Sequence, residues 1–303
     1  MSSSIRPAKR LDTEIRRIAA AQLDKAIADL AAPAGPAREE GIHEARKRLK
    51  KLRGLIRLVR AGHEAFYAAE NARYRDAARR LSGVRDRTAL IEALDALDRR
   101  FPKADAAAAF AAVRTELERR RDRAADDDMA DAIEATVREL KIARRQFDGF
   151  VLEHPRGEAG ALLAAGFADT HARGRKALAA ARRSLGVDDL HDLRKQAKYQ
   201  SMHYRFLRDL WPELLQPLQK IAFTLADELG SDHDYAVLRG EIEAEPDRFG
   251  ARREREAILV LMDRRQAELR ASALAAADRL FAEKPGAMKR RIRHLWDLAN
   301  DGG

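Results

Sequence analysis

A gapless internal repeat constrains this chain more than any other feature of its sequence. When residues 42–60 are shifted by 148 positions they align with residues 190–208, and six of the nineteen aligned positions are identical. Every identity is a basic residue: His43/His191, Arg46/Arg194, Lys47/Lys195, Lys50/Lys198, Arg57/Arg205 and Arg60/Arg208. Such a long repeat predicts two similar units related by a pseudo-twofold axis. Because packing tolerates drift among apolar residues, the fixed basic positions indicate a role other than packing.

The spacing of apolar residues places both repeats on helices. In the first repeat the apolar side chains are spaced alternately by three and four residues, at Ile42, Ala45, Leu49, Leu52, Ile56 and Val59. This stripe is typical of a helix that buries one face in a bundle. The matching stripe of the second repeat consists of Leu190, Leu193, Ala197, Gln200, Tyr204 and Leu207.

The remainder of the chain also has a helical composition, rich in Ala, Leu, Arg and Glu and without period-two runs of β-branched residues. The predicted helices cover residues 11–32, 38–61, 64–81, 86–101, 105–124, 128–147, 159–184, 189–209, 213–229, 233–243, 248–283 and 287–299. We expect an all-α protein with a flexible N-terminus over residues 1–10. A Gly- and Pro-containing break near residue 150 predicts an N-terminal helical bundle over 11–150 and a C-terminal bundle over 151–300.

A row of basic residues runs beside each apolar stripe, about 100° around the helix. The first row is His43, Arg46, Lys50, Arg53 and Arg57, and the second is His191, Arg194, Lys198, Ser201 and Arg205. Residues 43–60 hold eight Lys or Arg and one acid, and residues 191–208 hold five and one, so these two segments account for the net charge of +10. Like charges at this spacing destabilise a helix. The rows therefore predict an anionic partner, with a solvated charged face as the alternative.

Several classes of protein are excluded by what the sequence lacks. It has no cysteine, which excludes disulfide scaffolds, Cys-ligated metals and a thiol nucleophile. It has no run of about 20 apolar residues, so we expect no membrane insertion and a cytoplasmic location. A metal-dependent phosphohydrolase would need closely spaced ligands, but His-Glu-x-x-His is absent and the neighbours of His191 include cations. We expect no enzymatic activity, no catalytic residue, no metal ligand and no cofactor.

The two repeats resemble the signature helices of the conserved histidine α-helical domain (CHAD) family. The resemblance rests on the sequence from His43 to Arg53, on its second copy from His191 to Tyr199, and on the segments Leu81–Asp86 and Leu229–Asp234. It implies two pseudo-symmetric antiparallel four-helix bundles with extra helices around a central basic cleft or pore. It also implies binding of inorganic polyphosphate without catalysis.

The resemblance carries a set of candidate site residues. The polyphosphate-binding residues that it implies are His43, Arg46, Lys47, Lys50, Arg53, Arg57, His191, Arg194, Lys195, Lys198 and Arg205, with Lys51, Arg85 and His233 as additional candidates. The expected partner is inorganic polyphosphate or another linear polyanion, including polyphosphate-containing granules.

Nucleic acid is the main alternative ligand for the same helices, and a metal-dependent phosphohydrolase is a more remote alternative function. Proteins that bind single strands usually stack bases on aromatic side chains placed among cations. Residues 43–60 contain no aromatic side chain, whereas the second repeat has Tyr199, Tyr204 and Phe206, of which Tyr204 lies on the apolar stripe. The sequence therefore favours polyphosphate over nucleic acid.

Overall fold

The computed structural model describes residues 3–102, 106–123, 127–153 and 157–301, with side chains for all of these except 83–86, 123, 127–128 and 301. Within these residues the chain forms eleven α-helices and no strand, which confirms the all-α prediction. The helices are α1 (Leu11–Asp29), α2 (Pro36–Leu58), α3 (Glu64–Arg80), α4 (Gly83–Arg100), α5 (Ala107–Arg123), α6 (Asp127–Asp148), α7 (Ala159–Ser184), α8 (Val187–Leu207), α9 (Pro212–Ala244), α10 (Arg252–Leu280) and α11 (Pro285–Asp301).

The predicted break between helices 213–229 and 233–243 is wrong, because α9 runs through it without interruption. Gly230 is buried inside α9, where its missing side chain leaves room for the guanidinium of Arg194 on α8. Glycine in a helix interior costs about 1 kcal/mol relative to alanine. For this reason the glycine at position 230 predicted the end of a helix. Here the glycine permits a close approach between two helices instead.

Helix packing connects the two halves of the chain. In the first half, α1 and α3 each pack against both α2 and α6. In the second half, α8 packs between α7 and α9, α10 packs against α9 and α7, and α11 packs against α7. The two basic helices meet directly, because α2 contacts both α8 and α7.

The buried apolar residues form two clusters, and each includes residues from both sides of the predicted domain boundary at residue 150. The larger cluster includes Leu52 of α2 and Leu193 of α8. In the smaller one, α4 and α5 pack against the C-terminal part of α9 and the first part of α10. The helical hairpin α4–α5 of the first half is therefore covered by helices of the second.

The segment that precedes α1 is packed against the end of α8. Ser4 and Ile5 are buried, and the Ile5 N–H donates to the Phe206 carbonyl at 2.8 Å. The sequence predicts a flexible N-terminus over residues 1–10, but the buried Ile5 anchors the described part of this segment, residues 3–10, in the core. The segment thus links α1 to the second basic helix.

Candidate functional site

The contact between the two basic helices is built on a glycine of α2. A Cβ on Gly54 would lie 2.7 Å from the sulfur and 3.2 Å from the Cβ of Met202, so the glycine makes room for this side chain of α8. The buried His203 of α8 donates from Nε2 to the Gly54 carbonyl at 3.1 Å. Burial lowers the pKa of His203 to about 3, which keeps this ring neutral. The contact fixes α2 against α8.

Both basic helices bury the face that the sequence predicts, the apolar stripe. All twelve residues of the two apolar stripes are buried, including the polar Gln200. The residues of the two basic rows are half-buried, except for Ser201, which is buried and donates to the Gln219 carbonyl at 3.2 Å. One face of each helix is thus in the core, and the neighbouring face carries the cations along its edge.

Cations of the two helices come within electrostatic range of one another at this contact. Burial lowers the pKa of Lys51 on α2 to about 8, and repulsion from Arg205 on α8 lowers it further. Burial also lowers the pKa of Lys198 on α8, with added repulsion from Arg194 and Lys47. We call Lys47, Lys51, Arg194, Lys198 and Arg205 the shared cationic cluster.

Two arginines at matched positions of the repeat approach matched segments of backbone. On α2, Arg46 Nη1 donates to the Leu81 carbonyl at 2.9 Å. On α8, the Arg194 guanidinium lies so close to Gly230 that a Cβ there would be 3.1 Å from one of its nitrogens. Leu81 aligns with Leu229 under the same shift of 148 residues. These contacts give a structural reason for repeating both the arginine and the segment it meets.

Two lysines at matched positions also share their surroundings. Lys47 pairs with Glu44, and Lys195 pairs with Asp192, each three residues earlier on the same helix. Both lysines are about half exposed, and such surface pairs contribute only a few tenths of a kcal/mol. A polyvalent anion could therefore replace these carboxylates at little cost.

Arg57 is held by aromatic rings from both halves of the chain. Its guanidinium carbon lies 4.3 Å from the ring centroid of Tyr199 on α8 and 5.9 Å from that of Tyr67 on α3. Its Nε is buried, and within the described residues it has no hydrogen-bond partner. Sequence reasoning did not include Tyr199 in the site; its position directly after Lys198 was the available signal.

His191 and His233 lie side by side, with ring centroids 4.9 Å apart. In each ring Nδ1 is buried without a hydrogen-bond partner among the described residues. Burial lowers the pKa of His191, and His233, Arg194 and Lys195 lower it further. The structure thus joins His233 to the second basic row. Its counterpart in the first repeat, Arg85, has a side chain outside the described residues.

The remaining predicted residues lie on α2, the helix that also carries Lys47 and Lys51 of the shared cationic cluster. His43 and Lys50 are half-buried on the predicted edge of α2. Arg53 points to α3, where its Nε donates to Asn71 Oδ1 at 3.0 Å. Arg48, which sequence reasoning left out of the site, is paired with Asp29 of α1. Sequence reasoning also missed Asp227 of α9, whose charge favours protonated Lys198 together with that of Asp234.

The chemistry available at this site is anion binding. Within the described side chains, no group of three or more His, Asp or Glu residues is arranged to hold a metal ion. No helix in the part of the chain that the structure describes is both long and apolar enough to cross a membrane. Guanidinium forks and ammonium groups, the groups that bind phosphate oxygens, line the edges of α2 and α8.

A family model of the CHAD domain matches residues 17–243, about three quarters of the chain. The match begins within α1 and ends near the end of α9, so it includes both basic helices and leaves α10 and α11 outside. A search of curated proteins found no match.

Proposed function

The chain belongs to the CHAD domain family, and from this membership we propose that it binds inorganic polyphosphate without catalysing a reaction. The proposed site is the shared cationic cluster together with the basic rows of α2 and α8. We also infer that the helices around α2 and those around α8 form two similar bundles, with these rows lining one central cleft.

The observation that carries the proposal is the partial burial of like charges from both repeats at one contact. Lys51 is half-buried, and Arg205, Arg48 and Lys47 all disfavour its protonated form. Bringing cations together out of water costs free energy unless an anion compensates them. Among the described residues that most influence the pKa of Lys51, only Glu44 opposes this repulsion. A bound polyanion would supply the missing negative charge.

Polyphosphate suits this arrangement because it is a flexible linear chain with about one negative charge per unit. Several cations could neutralise it at once, and the release of its counterions would favour binding. Affinity should therefore fall steeply as the salt concentration rises. Arginine forks would grip pairs of phosphate oxygens, while lysines would act as point charges.

Nucleic acid is the alternative ligand, and Tyr199 is the observation that bears on it. One aromatic ring does lie among cations of both helices, but its face is in contact with Arg57. Stacking of successive bases requires several accessible rings along the path of the strand. The aromatic content of the two rows is therefore too small to favour single-stranded nucleic acid over polyphosphate.

The proposal is tested by competition at one fixed salt concentration between long-chain polyphosphate and single-stranded DNA of equal total charge. We expect polyphosphate to displace DNA, and Lys47→Gln with Lys50→Gln to weaken polyphosphate binding at least tenfold. A matched control is Lys141→Gln with Arg253→Gln, which removes two exposed cations from α6 and α10. Preference for DNA, or equal losses in the two double variants, would overturn the proposal.

A further inference from the structure

A cationic groove lies between α7 and α11, and α11, which carries its charged side chains, lies outside the family match. It is a cavity of about 330 Å³ lined by Ala161 and Ala164 of α7 and by cationic side chains and one acid of α11: Lys289, Arg290, Arg293, His294 and Asp297. These α11 residues are spaced so that they form one stripe along the helix. The opposite stripe of α11, with Met288, Ile292 and Trp296, is buried.

The groove exists because α7 has small residues where α11 crosses it. A Cβ on Gly160 would overlap the Trp296 ring, so the glycine sets the close approach of the two helices. Beyond that contact α7 has only small residues at the groove: Ala164 is fully buried and Ala161 is half-buried, so Ala161 provides the accessible apolar floor between the helices. The groove is thus a cavity with an apolar base and a charged rim.

The charge of the rim is only partly balanced. Arg293 donates from Nε to both carboxylate oxygens of Asp297 at 3.0 Å, so this ion pair balances one positive charge of the rim. Among the described residues, Lys289 and Arg290 have no carboxylate within ion-pair distance, and both are exposed. Two uncompensated positive charges beside the Arg293 guanidinium match a dianion, and the His294 ring adds an N–H donor.

We propose that this groove binds a phosphate monoester that carries a compact apolar group. The phosphate would lie against Lys289, Arg290 and Arg293, and the apolar group would cover Ala161. The volume is near the lower end of ligand pockets, about 300 to 1,000 Å³, which limits the ligand to a small molecule. The apolar floor distinguishes this groove from the proposed polyphosphate site, where the cations lie on the edges of two helices.

The test is calorimetric titration with phenyl phosphate and with inorganic phosphate at one fixed ionic strength. The experiment is done in the Lys47→Gln/Lys50→Gln background, which weakens the proposed polyphosphate site. We expect saturable binding of phenyl phosphate with 1:1 stoichiometry, at least fivefold tighter than that of inorganic phosphate. Lys289→Ala with Arg290→Ala should weaken it at least tenfold, whereas Lys141→Ala with Arg253→Ala should leave it unchanged.

A second variant tests the floor without changing any charge. Ala161→Leu fills the groove from the half-buried side of α7 and should also weaken phenyl phosphate binding at least tenfold. Polyphosphate binding by Ala161→Leu in the otherwise unchanged chain should stay within twofold, which separates this groove from the proposed function. Equal affinity for the two phosphates, or retention of phenyl phosphate binding by both groove variants, would overturn the proposal.

Discussion

The basic helix α2 of the first repeat and the basic helix α8 of the second share one plan but differ in how their charges are balanced. On α2 the row continues through Arg53, whereas the matching residue of α8 is the buried Ser201. Acids of α9, Asp227 and Asp234, favour the protonated form of Lys198. For Lys51 of α2, only Glu44 has this effect among the principal influences on its pKa. The comparison suggests that α2 supplies most of the attraction for a polyanion and that α8 modulates it.

The largest expected effect is a difference in polyphosphate affinity between variants of matched lysine pairs on α2 and α8. Lys47→Gln with Lys50→Gln on α2 should weaken polyphosphate binding at least tenfold, or about 1.4 kcal/mol. The aligned pair on α8, Lys195→Gln with Lys198→Gln, should cost only about threefold, because Asp227 and Asp234 already offset the charge of Lys198. Titration of both variants with the same polyphosphate preparation measures the ratio. Equal losses would mean that the two repeats contribute alike.

A smaller effect should come from the ring that connects the two helices. Tyr199→Leu removes the aromatic face 4.3 Å from the Arg57 guanidinium and should weaken polyphosphate binding about fivefold, since a partly buried cation–π contact contributes about 1 kcal/mol. Tyr199→Phe keeps the face and should restore binding to within twofold. The free energy of unfolding, measured in parallel, separates this effect from a general loss of stability. Similar binding by the Leu and Phe variants would contradict a role in positioning Arg57.

The sequence was sufficient for much of this comparison. The all-α class, the two buried stripes and the cationic edge beside each follow from residue spacing alone, because a helical period projects directly onto burial. Ser201 could also be identified from the alignment of the repeats as the interruption of the second row.

Other features depend on which helices meet, and spacing along one helix does not contain that information. The sequence of α2 could not show that Gly54 packs against Met202, or that the Arg57 guanidinium contacts the ring of Tyr199. Gly230 was misinterpreted for the same reason, because the side chain that uses its free space belongs to α8. Likewise, α4 and α5 follow the first repeat in the chain but pack against α9 and α10.

We expect the positive charge of Lys51 to lower the free energy of unfolding and to strengthen polyphosphate binding. Its pKa is about 8 in the folded chain against an ordinary value of 10.5, so the unfolded chain binds more protons between these values. Stability should therefore rise as the pH increases from about 8 to 10.5, and below 8 the full penalty applies. After allowance for solvent screening, Lys51→Gln should raise the free energy of unfolding at pH 7 by about 0.5–1 kcal/mol. Urea denaturation at pH 7 and pH 10 measures both values.

The same substitution should weaken polyphosphate binding, and that combination distinguishes a ligand-binding lysine from a structural one. A variant that is both less stable and weaker in binding would show that Lys51 supports the fold. Lys141→Gln on α6 is the matched control, since it removes an exposed cation and should change neither quantity.

The smallest expected effect is the pH dependence of polyphosphate binding that comes from His191 of α8. His191 is held below its ordinary pKa by burial, by His233, and by Arg194 and Lys195, with Asp192 opposing them. A bound phosphate would raise that pKa, so binding takes up protons and should tighten as the pH falls from 7.5 to 6, by about threefold in all. His191→Gln with His233→Gln should flatten this dependence and leave most of the affinity, which the arginines and lysines carry. His43→Gln, the matched change on α2, should retain most of the pH dependence if the paired histidines are its source. The measurement is a polyphosphate titration at pH 7.5 and pH 6 on the unchanged protein, the double variant and His43→Gln. A pH dependence that the double substitution does not alter would mean that His191 and His233 only contribute to packing.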